Sequence, residues 1–188
     1  MGVRFPPRAP ENNYNARAMA SVDEFLDLVD DNDNVIGKKL RSEIYSENIS
    51  NYRVINVFII NSKGEIWIPR RIASKKIFPL CLDMSVGGHV GSGESYEDAL
   101  KHELRDEVNI DIEKISCRYL GSLTPQKNGV SSFMKVYEIR SDEAPDYNKN
   151  DYFEYFWLTP KELLKRIVEG EKTKEDLPKL VKIFYGAD

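Results

Sequence analysis

The sequence predicts a mixed α/β domain. Two observations support this prediction: short apolar segments bounded by turn residues recur along the chain, and one helix with clear end signals interrupts them near the middle. The 188 residues are 41% hydrophobic and 31% charged, which is ordinary for a globular domain with a substantial core. We therefore expect one folded domain over residues 21–188.

Two hairpins are predicted in the first half of this domain. Residues 24–29 and 35–40 flank a turn-rich connection, and residues 52–60 and 65–72 flank the turn Asn-Ser-Lys-Gly. Residues 81–90 are predicted to form a strand that runs into a glycine-rich loop.

The central helix has signals at both ends. Ser95 is a suitable N-cap, and Asn109 can end the helix after Val108 in the left-handed conformation. Thr159-Pro160 is a typical N-cap and first position of a further helix. The remaining elements are predicted as strands over residues 117–125, 131–140 and 151–158 and a last helix over residues 174–185.

Composition excludes several classes of function. The formal net charge of −4 argues against dedicated nucleic-acid binding, and no apolar run approaches the roughly 20 residues that span a bilayer. The amino terminus lacks the apolar stretch of a signal peptide, and Cys81 and Cys117 both lie in apolar segments. We expect a cytoplasmic protein with reduced thiols, with no membrane attachment.

The first 20 residues are rich in Pro, Asn and Arg and show no periodicity, so we expect residues 1–20 to form a disordered tail. Residues 3–10 also resemble the translated end of a transfer-RNA gene. This resemblance indicates a misassigned start, with the natural start at Met19.

Three acidic residues crowd one side of the central helix: Glu103, Asp106 and Glu107. On a helical wheel they border the apolar stripe, where like charges at these spacings repel one another. A counter-charge is therefore needed, and a divalent cation such as Mg²⁺ suits a group of oxygen ligands. A merely solvated acidic face is the alternative interpretation.

The acids follow a glycine-rich loop at a spacing that resembles the Nudix box. Gly88 is followed after five residues by Glu94, and after seven more by the segment His-Glu-Leu-Arg-Asp-Glu-Val-Asn-Ile. The Nudix pattern has the same spacings and ends in Arg-Glu-aliphatic-any-Glu-Glu-any-Gly-aliphatic. Three positions differ, because His102 replaces Arg, Asp106 replaces Glu and Asn109 replaces Gly.

This resemblance implies a Nudix α/β/α sandwich with a mixed β-sheet. It also implies Mg²⁺-dependent hydrolysis, with Mn²⁺ as an alternative metal, of a diphosphate linkage in a nucleoside diphosphate or a compound linked to one. Glu103 and Glu107 are the expected metal ligands, with Asp106 and the Gly88 carbonyl completing the site. Glu103 is also a candidate base, as is Glu154, because in many Nudix enzymes the base comes from a later loop.

The Nudix box also implies a structural contact. The Arg that His102 replaces commonly pairs with the Glu that matches Glu94, which ties the glycine loop to the helix. We expect the same contact here, across the bend of the loop.

Residues 67–100 are similar to the branch that contains type I isopentenyl-diphosphate isomerases, and closer to their bacterial hydrolase-like relatives of the YfcD type. In the isomerases the positions that match Arg71 and Lys75 hold the diphosphate. These two residues and the neighbouring Arg70 are therefore the expected substrate-binding residues, with solvated strand-end charges as the alternative. The expected partner is a small-molecule diphosphate, and the oligomeric state is left open between a monomer and a homodimer.

Isomerisation itself is disfavoured by two departures. Gly87 stands where the isomerases have a catalytic cysteine, and this chain has Ser131 and Ser132 in the region where the isomerase metal site draws on acids. A non-catalytic Nudix module that senses a nucleotide is a second alternative to hydrolysis.

Overall fold

A computed structural model describes residues 23–186 of the chain. This part contains eight strands, β1 Phe25–Val29, β2 Val35–Leu40, β3 Arg53–Ile60, β4 Ile66–Arg71, β5 Val86–His89, β6 Cys117–Leu123, β7 Phe133–Arg140 and β8 Tyr152–Leu158. Its five α-helices are α1 Arg41–Ser46, α2 Tyr96–Val108, α3 Pro125–Asn128, α4 Pro160–Val168 and α5 Leu177–Tyr185. The predicted tail, residues 1–20, lies outside the described residues.

Six strands form one mixed sheet, which confirms the predicted fold class. Its order is β6-β7-β3-β4-β8, and β5 pairs with the first half of β3. Strands β3 and β7 are parallel, whereas the other pairs in the sheet are antiparallel. The hairpin of β1 and β2 forms a separate two-stranded sheet.

The two faces of the large sheet carry two separate cores. Along β3, Ile55 and Val57 pack on the side of α2, whereas Phe58 and Ile60 pack on the side of α4 and α5. This distribution follows from the alternation of side chains along a strand. The architecture is therefore a sandwich of helices around a mixed sheet.

Helix α2 begins and ends where its sequence signals lie. The Ser95 hydroxyl accepts a hydrogen bond from the Asp98 N–H, and the Asp98 carboxylate accepts one from the Ser95 N–H in return. Asn109 ends the helix in the left-handed conformation, with φ of 52°. Leu100 and Leu104 are buried against the sheet, and Glu103, which borders this apolar stripe, contacts Gly88 of the glycine loop.

The structure differs from the predicted elements in two ways. The short helices α1 and α3 were not predicted, and β5 begins at Val86 instead of near Cys81. Residues before Val86 leave the strand ladder because Leu82 bridges to Arg70 and Thr173. Both cysteines are free thiols, and no helix within residues 23–186 is long and apolar enough to cross a membrane.

Candidate active site

The glycine loop brings Glu103 into direct contact with the backbone. A Cβ atom at Gly88 would lie 2.1 Å from the Glu103 Cδ atom, which is closer than real atoms approach. Strand β5 fixes Gly88 opposite Ile55 of β3, and α2 fixes Glu103, so neither backbone can easily retreat. Only glycine allows this carboxylate to lie against the loop.

Glu107, one turn further along α2, is held by two hydrogen-bond donors. Its Oε2 atom accepts a hydrogen bond from the Gly87 N–H at 3.2 Å and another from the Tyr152 hydroxyl at 3.0 Å. Burial raises the pKa of Tyr152 well above its usual value, so this hydroxyl keeps its proton and donates. The two glycines and β8 thus position both carboxylates.

The environment of these carboxylates disfavours their charge. Burial raises the pKa of Glu107 to about 7, and the negative charges of Asp83 and Asp151 contribute to the shift. Burial also raises the pKa of Glu103 well above its usual value, helped by the charges of Glu107 and Asp106. No Lys or Arg within residues 23–186 forms an ion pair with either glutamate. Neither carboxylate is therefore neutralised by a direct ion pair within these residues.

Asp106 lies further out than the other two acids. Its side chain is about half exposed, and its carboxylate lies 3.9 Å from the Nε2 atom of His102. Within residues 23–186, no three carboxylate, imidazole or thiol groups are arranged as a ready-made metal site. Mg²⁺ does not require one, because it keeps several waters and is commonly held by one or two carboxylates together with substrate phosphates. The Glu103–Glu107 pair fits such a site.

The loop and the helix are tied together by Glu94. Its Oε2 atom accepts a hydrogen bond from the Gly91 N–H at 2.9 Å, and its Oε1 atom lies 3.4 Å from the Nδ1 atom of His102. The structure therefore places Glu94 and His102 in contact across the bend of the loop. This contact fixes the loop relative to the helix that carries the acids.

The three basic residues from the sequence are placed differently from one another. Arg71 donates to Asp83 at 2.8 Å, beside the carboxylates. Arg70 instead pairs with Glu154 at 2.5 Å and with Glu171 at 2.7 Å. Lys75 pairs with Asp151. Asp83 first, and then Tyr152 and Glu107, raise the pKa of Arg71 against its burial, which places this arginine near Glu107. Lys75 is near the same region, because the charge of its partner Asp151 also acts on Glu107.

Glu154 is engaged away from the acid pair. It lies opposite Arg70 in the register of β4 and β8 and accepts a hydrogen bond from the Arg70 Nε atom. The Arg70 guanidinium also lies over the ring of Phe156, which packs against the core on the α4 side of the sheet. The structure does not bring Glu154 together with Glu103 and Glu107.

A cleft of about 320 Å³ adjoins the carboxylates through the glycine loop. Gly87 and Gly88 line it, so the same two residues contact the acids and the cleft. Its apolar walls include Met84 and Met134, and the buried polar residues Asn56 and Ser132 also line it. The arrangement combines a charged end with a pocket that is large enough for a small organic group.

Comparisons with known proteins agree with this geometry. The NUDIX domain family matches residues 51–177. The chain belongs to the Nudix family. An uncharacterized Nudix hydrolase of Nostoc sp. is 59% identical over 162 residues, 86% of this chain and 96% of that protein. A Nudix hydrolase of Deinococcus radiodurans is 49% identical over 87% of this chain and 95% of its own length.

A crystal structure from Deinococcus radiodurans, at 48% identity, has a TM-score of 0.81 and covers 86% of this chain and 99% of that chain. This Nudix protein is accordingly a hydrolase of a family that acts on pyrophosphate bonds. The isomerase branch is more distant, since the isopentenyl-diphosphate isomerase of Kocuria rhizophila is 26% identical over 78% of this chain and 84% of its own. Closeness to the YfcD-type hydrolases stays a prediction.

Sequence reasoning missed four residues of the Nudix site: Asp83, Asp151, Tyr152 and Lys174. Tyr152 donates to Glu107, and Asp83 pairs with both Arg71 and Lys174. One signal was available, because Asp83 is an isolated acid in an otherwise uncharged stretch from Pro79 to Val86. Such an acid is rarely buried without a partner. Lys174 had no comparable local signal.

Proposed function

We propose that this Nudix hydrolase cleaves a diphosphate linkage in a nucleoside diphosphate, or in a compound linked to one, with Mg²⁺ or Mn²⁺ as the metal. The supporting observation is the pair Glu103 and Glu107, enclosed by the glycine loop, with raised pKa values and without a basic partner within residues 23–186. Such a pair is costly for the fold unless a cation binds there.

The metal ligands in this proposal are Glu103 and Glu107, with Asp106 and the Gly88 carbonyl completing the site. When bound, the cation would activate a water molecule and neutralise charge that develops on the phosphate oxygens. The protein's own contribution is to hold Glu103 and Glu107 on one helix, against a loop that has no side chains at Gly87 and Gly88. The Tyr152 hydroxyl and the Gly87 N–H orient Glu107.

We give Glu103 the role of base as the alternative to its role as a metal ligand, and leave Glu154 out of the reaction. In the metal-free protein the pKa of Glu103 is raised by burial and by its acidic neighbours, which suits a base, whereas a bound cation would favour its ionised form. Glu154 instead accepts a hydrogen bond from Arg70. Arg71 is the proposed phosphate-binding arginine, because it lies near Glu107 and its Nε atom has no hydrogen-bond partner among the described residues, whereas its terminal nitrogens donate to Asp83 and to the Ile77 carbonyl.

The cleft supports a nucleoside substrate over an isoprenoid one. Asn56 is buried, and its side-chain NH₂ makes only a weak contact, 3.6 Å to the Met134 sulfur. The Ser132 hydroxyl makes no hydrogen bond of good geometry among the described residues, although Tyr52 lies beside it. Covering such polar groups with a hydrocarbon tail would cost free energy, because they would lose their hydrogen bonds to water, whereas the edge of a nucleobase can form hydrogen bonds with them.

The test measures the cleavage products, nucleoside monophosphate together with phosphate, pyrophosphate or sugar phosphate, from a panel of nucleoside di- and triphosphates and nucleoside-diphosphate sugars, with Mg²⁺, with Mn²⁺ and with EDTA. Isopentenyl diphosphate serves as a control for isomerase activity. We expect metal-dependent hydrolysis of at least one nucleoside diphosphate compound and no dimethylallyl diphosphate. Formation of dimethylallyl diphosphate would instead support the isomerase alternative. Tight nucleotide binding without turnover would support the sensing module.

A further inference from the structure

We propose that Lys174 is a substrate-binding residue whose ammonium group binds the diphosphate of the substrate. The buried carboxylate of Asp83 holds it in position. This inference rests on the proposed function in one respect, namely that the substrate carries a diphosphate group. It does not depend on the identity of the rest of the substrate.

The backbone brings Lys174 to the active site from a distant part of the sequence. The Leu82 N–H donates to the Lys172 carbonyl at 2.8 Å, and the Lys174 N–H donates to the Leu82 carbonyl at 3.0 Å. The Thr173 hydroxyl also donates to the Leu82 carbonyl, at 3.3 Å. Residues 172–174, which lie between α4 and α5, are therefore hydrogen-bonded to Leu82, the residue that precedes Asp83.

Asp83 lies between two cations. Its side chain is 1% exposed; its Oδ1 atom is 3.1 Å from the Lys174 Nζ atom, and its Oδ2 atom is 2.8 Å from the Arg71 Nη1 atom. One buried negative charge thus faces two positive charges within this cluster, while Glu175 and Asp176 line the cleft nearby and the charge of Glu107 acts on Arg71. Moreover, the Arg71 Nε atom is a buried donor without a partner among the described residues. An orphaned donor in a native protein needs an explanation, and a missing ligand is one.

Lys174 lies on the cleft side of the glycine loop, across from the carboxylates. It lines the cleft together with Gly87, Gly88 and His89, and its Nζ atom is 3.8 Å from the position that a Cβ atom of Gly87 would occupy. The N–H of the same Gly87 donates to Glu107. A diphosphate that is held at Glu107 through a cation would therefore have the ammonium group of Lys174 within reach.

The basic residues that the sequence singled out are placed differently from Lys174. Arg70 and Lys75, unlike Lys174, do not line the cleft, and each of them pairs with a carboxylate. Lys174 is thus better placed than either of them to contact a ligand in the cleft.

A purely structural role for Lys174 makes a different prediction. If Lys174 only neutralises Asp83, its removal should lower the stability of the fold without changing the affinity for a diphosphate. If it binds the substrate, its removal should weaken diphosphate binding in a protein that is still folded. Arginine at the same position should then restore much of the affinity, because it keeps the charge.

The experiment is a calorimetric titration of methylenediphosphonate, a non-hydrolysable diphosphate, into the parent protein and its variants in the presence of Mg²⁺. For Lys174→Met we expect the dissociation constant to rise about tenfold or more, since charge-assisted hydrogen bonds are lost. Lys174→Arg should stay within about threefold of the parent. Lys172→Met is the matched control: Lys172 is exposed, lies on the same segment and does not line the cleft.

Thermal unfolding of each variant is measured alongside, and Lys174→Gln replaces Lys174→Met if the latter does not fold. Unchanged affinity in the folded Lys174 variant would overturn the proposal, as would a parent protein that does not bind methylenediphosphonate. The proposed function fails separately. If the parent binds this probe through Lys174 but hydrolyses no nucleoside diphosphate, the inference about Lys174 stands and the proposed substrate is wrong.

Discussion

Two glutamates of this protein, Glu107 and Glu138, differ in the charges that surround their carboxylates. Glu107 and Glu138 each accept a hydrogen bond from a tyrosine hydroxyl at 3.0 Å, from Tyr152 and Tyr185 respectively. Glu138, however, also faces two arginines, Arg118 at 3.1 Å and Arg140 at 2.9 Å. Glu107 has one further donor, a backbone N–H, and acidic neighbours.

The difference indicates which glutamate is structural. The ion pairs of Glu138 join β6 to β7 and are complete within the chain. The charge of Glu107 is opposed by its environment, and its immediate neighbour on the helix, Glu103, is an acid too. A fold that supplies two arginines to one glutamate and none to the other leaves the second one to a ligand.

The largest expected effect is the loss of activity in Glu107→Gln. Glutamine can keep the hydrogen bonds to Tyr152 and Gly87 but cannot neutralise a cation, so turnover should fall on the order of a thousandfold or more. The measurement is kcat at saturating Mg²⁺. A near-normal rate would rule out Glu107 as a metal ligand.

Glu107→Gln should also leave the metal-free protein as stable as the parent or more stable, because repulsion from Glu103, Asp83 and Asp151 is relieved. Thermal unfolding in EDTA tests this. A strong loss of stability would mean that Glu107, like Glu138, is mainly structural.

The next effect in size concerns Gly88→Ala. The new methyl group would overlap the Glu103 carboxylate, whose Cδ atom is 2.1 Å away, so that side chain must leave its position. We expect a loss of turnover on the order of a hundredfold and a cost in stability of about 1–3 kcal/mol. Gly37→Ala is the matched control, since nothing lies within 4 Å of the added methyl group there. Equal activity of the two variants would contradict the proposed position of Glu103.

The third prediction concerns pH. Because the pKa of Glu107 is raised to about 7 from 4.5, the folded protein binds a proton more tightly than the unfolded chain between these pH values. The free energy of unfolding of the metal-free protein should therefore fall as pH rises through this window, by about 3 kcal/mol from this group. The difference between the parent and Glu107→Gln reports that contribution together with the part of the Glu103 shift that the Glu107 charge causes. Saturating Mg²⁺ should remove much of the decline, because a bound cation favours the ionised carboxylates.

The sequence was most informative where the physical causes are local. Ser95 and Asn109 end α2 through their own conformations and short-range hydrogen bonds, so both ends of the helix could be predicted. Gly88 and Glu103 lie in the same short stretch of the sequence, and their spacing allowed the close contact between the loop and the acidic residues to be predicted. Helix α1 was missed because its N-cap is Leu40, which offers no polar side chain to cap the helix.

The charge balance could not be predicted, because it depends on pairs that are distant in the sequence. Arg70 and Arg71 are adjacent and looked equivalent, but they bind different carboxylates, Glu154 and Asp83. The pairing of Asp83 with Lys174 requires the segment after α4 to return to Leu82. Neither fact has a signal in the local pattern of residues.

The smallest effect, and the sharpest control for the comparison, is expected from Glu138→Gln. Its carboxylate is 2% exposed, but Arg118 and Arg140 are each 64% exposed, so water can solvate both arginines once the glutamate charge is gone. The cost should therefore be limited to weaker hydrogen bonds, about 1–2 kcal/mol of unfolding free energy, and it should be similar with and without Mg²⁺. Chemical denaturation at two Mg²⁺ concentrations, together with kcat, measures both points. The contrast would not hold if Glu138→Gln abolished turnover, or if Mg²⁺ stabilised this variant much less than the parent. Either result would mean that Glu138, whose charge is balanced by arginines of the chain, also contributes to metal binding or catalysis.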